Sequence, residues 1–120
     1  MINKFGIGID SVDLESFQTR MTHTFITRIL SEEEQACYNA LSHPQRKLEY
    51  AAGRFAVKEA FVKAVKKVVK GLNFKDISVL NDEDGAPYLK IPHYDDYEFD
   101  ISITHTKAIA MAVVCILKKG

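Results

Sequence analysis

Near the start of the chain, large apolar residues alternate with small ones: Phe5, Ile7 and Ile9 against Gly6, Gly8 and Asp10. A period of two is a strand. One face carries large apolar groups; the other is nearly bare and ends in a carboxylate. Glycines weaken a strand unless something approaches it closely, so the bare face predicts a close neighbour. Leu14, Phe17 and Met21 then recur at helical spacing, and Thr22–Thr24 breaks the run. Phe25–Leu30 reads as a second short helix. Ser31 followed by Glu34 has the capping-box spacing for a third, with Ala36, Cys37, Leu41 and Tyr38 expected on its inner face. Ser42-His43-Pro44 ends that helix, and Pro44 suits the first turn of the next.

The longest predicted element runs from Gln45 to Lys70, with Gly71 as its stop. Leu48, Ala51, Phe55, Val62, Val65 and Val69 form an apolar arc, widened by Val57, Phe61 and Val68. An arc this wide must be covered by sheet, helices or another subunit. After Gly71 the pattern turns to strands. Ile77, Val79 and Asn81 share one face, Asp82–Gly85 is a turn, and Tyr88–Ile91 is a return strand. Beyond a loop at Pro92–Asp96, Ile101 and Ile103 alternate with Ser102 and Thr104, and Ala110–Leu117 makes a last apolar strand. This order predicts one α+β domain over residues 1–120, an antiparallel sheet packed against a long helix and shorter helices.

Composition excludes several classes. Apolar residues are 47% and charged residues 27% of the chain, which argues against disorder. Sixteen basic residues balance sixteen acidic ones, so nothing suggests a nucleic-acid partner drawn by net charge. No apolar run reaches membrane-spanning length, and the opening residues, Met1 to Ile7, have no signal-peptide core. Cys37 and Cys115 lack metal-ligand spacing and read as reduced, mostly buried thiols, which predicts a cytoplasmic protein.

Three groups are candidates for chemistry. Asp10 ends the glycine-bearing strand, with Asp13 three residues on, and Glu59 falls beside the apolar arc. Carboxylates at the rim of a core suit Mg²⁺ or Mn²⁺, whereas Glu59 and Lys63 also have the ordinary spacing of a stabilising helix pair. His105, among Ser102, Thr104 and Thr106, suits phosphate binding or proton transfer, or is simply a strand-edge residue. Arg46, Lys47, Arg54, Lys58, Lys63, Lys66, Lys67 and Lys70 make the long helix basic, either as a solvated face or toward a polyanion. The Gly6–Asp10 segment lacks the Rossmann and P-loop patterns.

Taken together, several segments resemble the small bacterial 4'-phosphopantetheinyl transferases of the holo-[acyl-carrier-protein] synthase family. They are Gly6–Asp10, Phe25–Ser31 with Glu34, Ala52–Ala64 as the signature helix, Phe74–Pro87 as the middle hairpin, and Ile101–Thr106 as the late strand. The resemblance implies that family's small α+β fold. It implies Mg²⁺-dependent transfer of the 4'-phosphopantetheine arm of coenzyme A to a serine hydroxyl of acyl carrier protein, releasing adenosine 3',5'-bisphosphate. The implied assembly is a homotrimer with its sites at the subunit interfaces.

By the same resemblance, Asp10 and Glu59 would bind the metal and Lys63 a diphosphate oxygen. His105, Ser102 and Thr106 would lie near the coenzyme's phosphates, Arg54 would support the anionic pocket, and Pro87 would pack near the adenine. Arg20, Met21, Phe25 and Arg28 would meet the carrier. The sequence departs from the pattern twice. Ser16 stands where the family usually has a carrier-docking arginine, and Val65–Gly71 replaces a Gly-Thr-Gly loop. The alternative is a non-catalytic module that binds acyl carrier protein through the basic helix and needs neither Mg²⁺ nor Glu59.

Overall fold

The computed structural model describes residues 5–119. Met1–Lys4, most of the segment read above for a targeting signal, lie outside the described residues. In chain order the elements are β1 (Phe5–Asp13), α1 (Leu14–Gln18), α2 (His23–Ile29), α3 (Glu32–Ala40), α4 (Pro44–Val65), a 3₁₀ turn (Phe74–Asp76), β2 (Ser78–Asn81), β3 (Pro87–Lys90), β4 (Tyr97–His105) and β5 (Ile109–Lys118). β1, β5 and β4 form an antiparallel sheet in that order, and β2 and β3 form a separate hairpin. α4 lies across β1 and β5. The expected antiparallel α+β architecture is what forms.

The close neighbour of the bare strand face is α4. A Cβ on Gly8 would run into the Ala60 carbonyl oxygen, and one on Gly6 into that of Ala64. The helix answers with small residues of its own: Ala52, Ala56, Ala60 and Ala64, four apart, are all buried. The contact is therefore small on small, and the predicted arc of large residues is only partly its inner face. Leu48, Ala51, Val57 and Phe61 are buried, while Phe55, Val62 and Val65 are half-buried. The large apolar face of β1 points the other way. Phe5, Ile7 and Ile9 are 65%, 56% and 58% exposed. In register beside them on β5 stand Leu117, Cys115 and Val113, followed by Met111 and Ile109.

Three expectations are corrected. First, α4 ends at Val65 rather than Lys70. Lys66 takes φ 62°, ψ −32°, so the chain turns away there and Gly71, at φ 88°, serves a later turn. A residue with a Cβ is strained at that φ. Lys66→Gly is expected to stabilise the fold by about 1 kcal/mol, roughly a 3–6 °C rise in Tm by thermal unfolding. Second, α3 buries its capping pair, Ser31 and Glu34, rather than a stripe. Glu34 is fully buried, Tyr38 and Leu41 are half-buried, and Ala36 and Cys37 are exposed. Cys115 is half-buried. Third, Lys58 is not part of a solvated basic face: it is 0% exposed.

The second and third corrections have one cause. Ser31 and Glu34 form the expected capping box, and the same Glu34 carboxylate pairs with Lys58 and accepts from the Val79 amide at 2.8 Å. Lys58 also donates to the carbonyls of Ile29 (2.7 Å) and Phe74 (2.9 Å). One buried ion pair thus ties α2, α3, the 3₁₀ turn and β2 to the middle of α4.

Candidate active site

The residue parity of β1 that puts Gly6 and Gly8 under α4 also turns Asp10 toward that helix. The Lys63 ammonium reaches back to donate to the Ile9 carbonyl at 3.0 Å and the Asp10 carboxylate at 3.2 Å. The ion pair that Lys63 makes is therefore across elements, with Asp10, and not the local helix pair with Glu59. Glu59, one turn earlier on α4, faces the same place. Its carboxyl is held above the ordinary carboxylate range, first by burial and then by the negative charge of Asp10; Lys63 and Arg20 pull the other way. Asp13, in contrast, is committed to structure. It caps α1 by accepting from the Ser16 amide at 2.9 Å, and that bond holds its carboxyl below the usual value.

Asp10, Ser11, Asp13, Ser16, Arg20, Phe55 and Glu59 line a cleft of about 490 Å³. Among the described residues, no group of three His, Cys, Asp or Glu side chains is arranged as a metal cage. Two carboxylates from two elements, in a cleft open to solvent, still fit Mg²⁺. That ion commonly takes one or two protein carboxylates and fills its octahedron with water and substrate phosphate. The mutual repulsion that raises the Glu59 carboxyl is what a divalent cation between the two groups would relieve.

A second groove, about 970 Å³, adjoins the cleft. Arg20, Phe25, Arg28, Phe55, Phe74 and Lys75 are among its walls, and it shares Arg20, Phe55 and Glu59 with the cleft. Phe17, Phe25, Phe55 and Phe74 pack ring against ring at 5.4–6.0 Å. The Arg20 guanidinium sits over this cluster, 4.6 Å from the Phe25 centroid and 5.4 Å from that of Phe55. Met21 packs against the core.

The remaining candidates gather elsewhere. His105, at the end of β4, lies 3.6 Å from Glu49, which also accepts from Gln45 at 3.1 Å. Arg54 stacks on Tyr50 at 4.1 Å and donates to Asn81 at 3.1 Å, and Asn81 is paired with Pro87 in the hairpin. The Arg54 Nε and the Tyr50 hydroxyl are buried without hydrogen-bond partners, and burial pushes the Tyr50 hydroxyl well up. Glu49 and Glu59 are ten residues apart on α4, about 15 Å along its axis. The chain therefore brings Asp10, Glu59 and Lys63 together at one place, sets His105 beside Glu49 at another, and holds Arg54 against the β2–β3 hairpin, midway between Glu49 and Glu59 along α4.

Ser102 and Thr106 join neither cluster directly. Ser102 pairs with Val113, the partner of exposed Ile9, and so lies on the outer face of the sheet. The Thr106 hydroxyl accepts from the Ala108 and Ile109 amides at 3.1 Å and shapes the β4–β5 turn. Sequence reading missed Glu49, Tyr50 and Asn81 as site neighbours. The four-residue step from Tyr50 to Arg54 was the available signal for the stacked pair.

Comparison with known proteins identifies the family. Residues 6–114 match the family model described as the 4'-phosphopantetheinyl transferase superfamily. The chain is 44% identical over 113 residues to the holo-[acyl-carrier-protein] synthase of Acholeplasma laidlawii, covering 94% of this chain and 96% of that one. It is 43% identical to the synthase of Oceanobacillus iheyensis, covering 92% and 94%. Its fold superposes with a TM-score of 0.84 on the Bacillus anthracis holo-(acyl-carrier-protein) synthase solved in complex with CoA (3',5'-ADP), at 38% identity and 96% coverage of both chains. With the matched segment spanning both the carboxylate strand and the Glu59–Lys63 helix, this chain belongs to the 4'-phosphopantetheinyl transferase superfamily, among its holo-[acyl-carrier-protein] synthases.

Proposed function

We propose that this chain, acting as one domain over residues 1–120, moves the 4'-phosphopantetheine arm of coenzyme A onto a serine hydroxyl of apo acyl carrier protein. The observation that carries this reading is the Asp10–Lys63–Glu59 arrangement: two carboxylates line a cleft beside an aromatic, arginine-bearing groove, and the Lys63 ammonium pairs with one of them, Asp10. The serine oxygen attacks the phosphorus on the pantetheine side of the diphosphate. The bond from that phosphorus to the bridging oxygen breaks, adenosine 3',5'-bisphosphate leaves, and the serine's proton passes to water in the open cleft. Asp10 and Glu59 would hold Mg²⁺, which would neutralise diphosphate charge; Mn²⁺ fits the same donors. Lys63, held in place by Ile9 and Asp10, stabilises charge developing on a diphosphate oxygen. Arg20, Met21, Phe25 and Arg28 form the carrier side of the site.

The separation of His105, which sits beside Glu49, from Glu59 along α4 supports assembly as a homotrimer. His105, Arg54 and Pro87 of one protomer would receive the phosphates and adenine of coenzyme A bound at a neighbour's Asp10 and Glu59, with Ser102 and Thr106 on the facing sheet surface. The exposed apolar face of β1 and β5 supplies the surface for that contact. Surfaces of this kind on small proteins mark interaction sites. Ile7→Asp places a charge in the middle of it and is expected to shift sedimentation equilibrium from trimer to monomer. It should also abolish transfer while leaving the circular dichroism of the protomer unchanged. The free thiols suit the cytoplasm, and among the described residues no helix is long and apolar enough to cross a membrane.

The decisive experiment is the intact mass of an apo acyl carrier protein after incubation with this protein, coenzyme A and Mg²⁺. A phosphopantetheine adduct is expected, with stoichiometric release of adenosine 3',5'-bisphosphate. Binding without an adduct would favour the non-catalytic module.

A further inference from the structure

Arg20 occupies a place that neither carrier docking nor metal binding alone explains. It is one of three residues common to the cleft and the groove, and the other two, Phe55 and Glu59, carry no positive charge. Its guanidinium lies over two aromatic faces, a seat that favours a planar, always-charged group over an ammonium. On the cleft side it faces a wall that bears Asp10, Asp13 and Glu59. On the groove side it stands with Arg28 and Lys75, which also line that groove.

We propose that Arg20 is a positioning residue that couples the two compartments, so that a divalent cation between Asp10 and Glu59 strengthens the hold on an acidic carrier segment. This rests on the function proposed above. Without the cation, the cleft carboxylates draw on Arg20's charge and repel an acidic partner close by. With two positive charges added there, the carboxylates are satisfied and Arg20's full charge is directed to the groove. Arg28 lines the groove but not the cleft. It contributes to affinity without reporting on the cation. Linkage requires the reverse effect as well: bound carrier must raise cation affinity by the same factor.

The test is a binding measurement without coenzyme A. A carrier with its reactive serine changed to alanine is titrated calorimetrically into the protein, with and without Mg²⁺, at constant ionic strength. For the unaltered chain Mg²⁺ should tighten binding roughly five- to tenfold, at the low end of coupling between sites. Arg28→Gln should weaken binding in both conditions and keep that ratio. Arg20→Gln should weaken binding and bring the ratio close to one. Arg20→Lys should lower the ratio too, because an ammonium does not keep the stacked seat. Equal carrier affinity with and without Mg²⁺ in the unaltered chain overturns the coupling while leaving docking and transfer intact. So does an Arg20→Gln ratio equal to that of Arg28→Gln. No carrier binding in either condition overturns the docking surface and the coupling with it.

Discussion

Lys63→Ala is expected to lower kcat by roughly 10²–10³-fold, the effect of removing one preorganised charge-stabilising donor, about 2.7–4 kcal/mol. The KM for carrier should change far less, because Lys63 lies on the Asp10 side of the site and is absent from the walls of the docking groove. Glu59→Gln, which keeps shape and removes charge, should raise the Mg²⁺ concentration needed for half-maximal rate. The Glu59 carboxyl is raised by burial and by Asp10, so protons compete with the cation there. The Mg²⁺ requirement should climb as pH falls through that raised value. Metal-free stability should rise over the same fall in pH. In metal-free protein, Glu59 favours folding while protonated. That contribution is fully present below the ordinary carboxylate pKa, about 4.3, and is lost as pH rises through the folded value. At neutral pH, metal-free Glu59→Gln should therefore melt no lower than the unaltered chain. Steady-state rates across a magnesium and pH grid, beside thermal melts, check both signs. Near-unaltered turnover in both variants would remove the assignment of this site.

Lys58→Met is expected to cost about 3–5 kcal/mol of folding stability, the usual result of leaving a buried charge without its partner. For a chain of this size that is roughly a 10–25 °C fall in Tm. The geometry concentrates the loss: Lys58 holds the Glu34 carboxylate and satisfies the Ile29 and Phe74 carbonyls at once. Burial lowers the Lys58 ammonium's pKa, and Glu34 offsets only part of that shift, so the pair stands or falls together. Combining Lys58→Met with Glu34→Leu should recover part of the loss, since the uncompensated carboxylate is gone. Recovery should be incomplete because the Ser31 and Val79 amides lose their acceptor. Urea unfolding of the two single variants and the double variant measures the coupling. A single-variant loss below about 1 kcal/mol would show that the pair is replaceable, as some buried pairs are.

Much of the fold was legible along the chain because local periodicity is a local property. The alternation of Phe5–Asp10, the Ser31–Glu34 capping box, the turn before Pro44 and the late strands all formed where residue spacing and turn chemistry placed them. Asp10, Glu59 and Lys63 were legible as residue types and, through family resemblance, as a set. Where the periodicity failed, backbone geometry or tertiary packing had overruled it. The helix stopped at Val65 despite continuing apolar residues, because the Lys66 backbone turns the chain away. Cys37 looked buried by its neighbours, but α3 is held through its capping pair and turns Cys37 to solvent.

What the sequence determined by itself is therefore the inventory: strand and helix periods, caps, an antiparallel α+β order, and the charged groups available for chemistry. Only the tertiary structure decided which of those charges are surface and which are core, and which partner each one has. Lys58 and Lys63 are five residues apart on one helix and alike in type. One is sealed against Glu34, and the other spans to Asp10 on the neighbouring strand with its side chain exposed to solvent. A charge's role is set by the solvent and partners around it, and those are brought in by parts of the chain 24 residues away in the first case and 53 in the second.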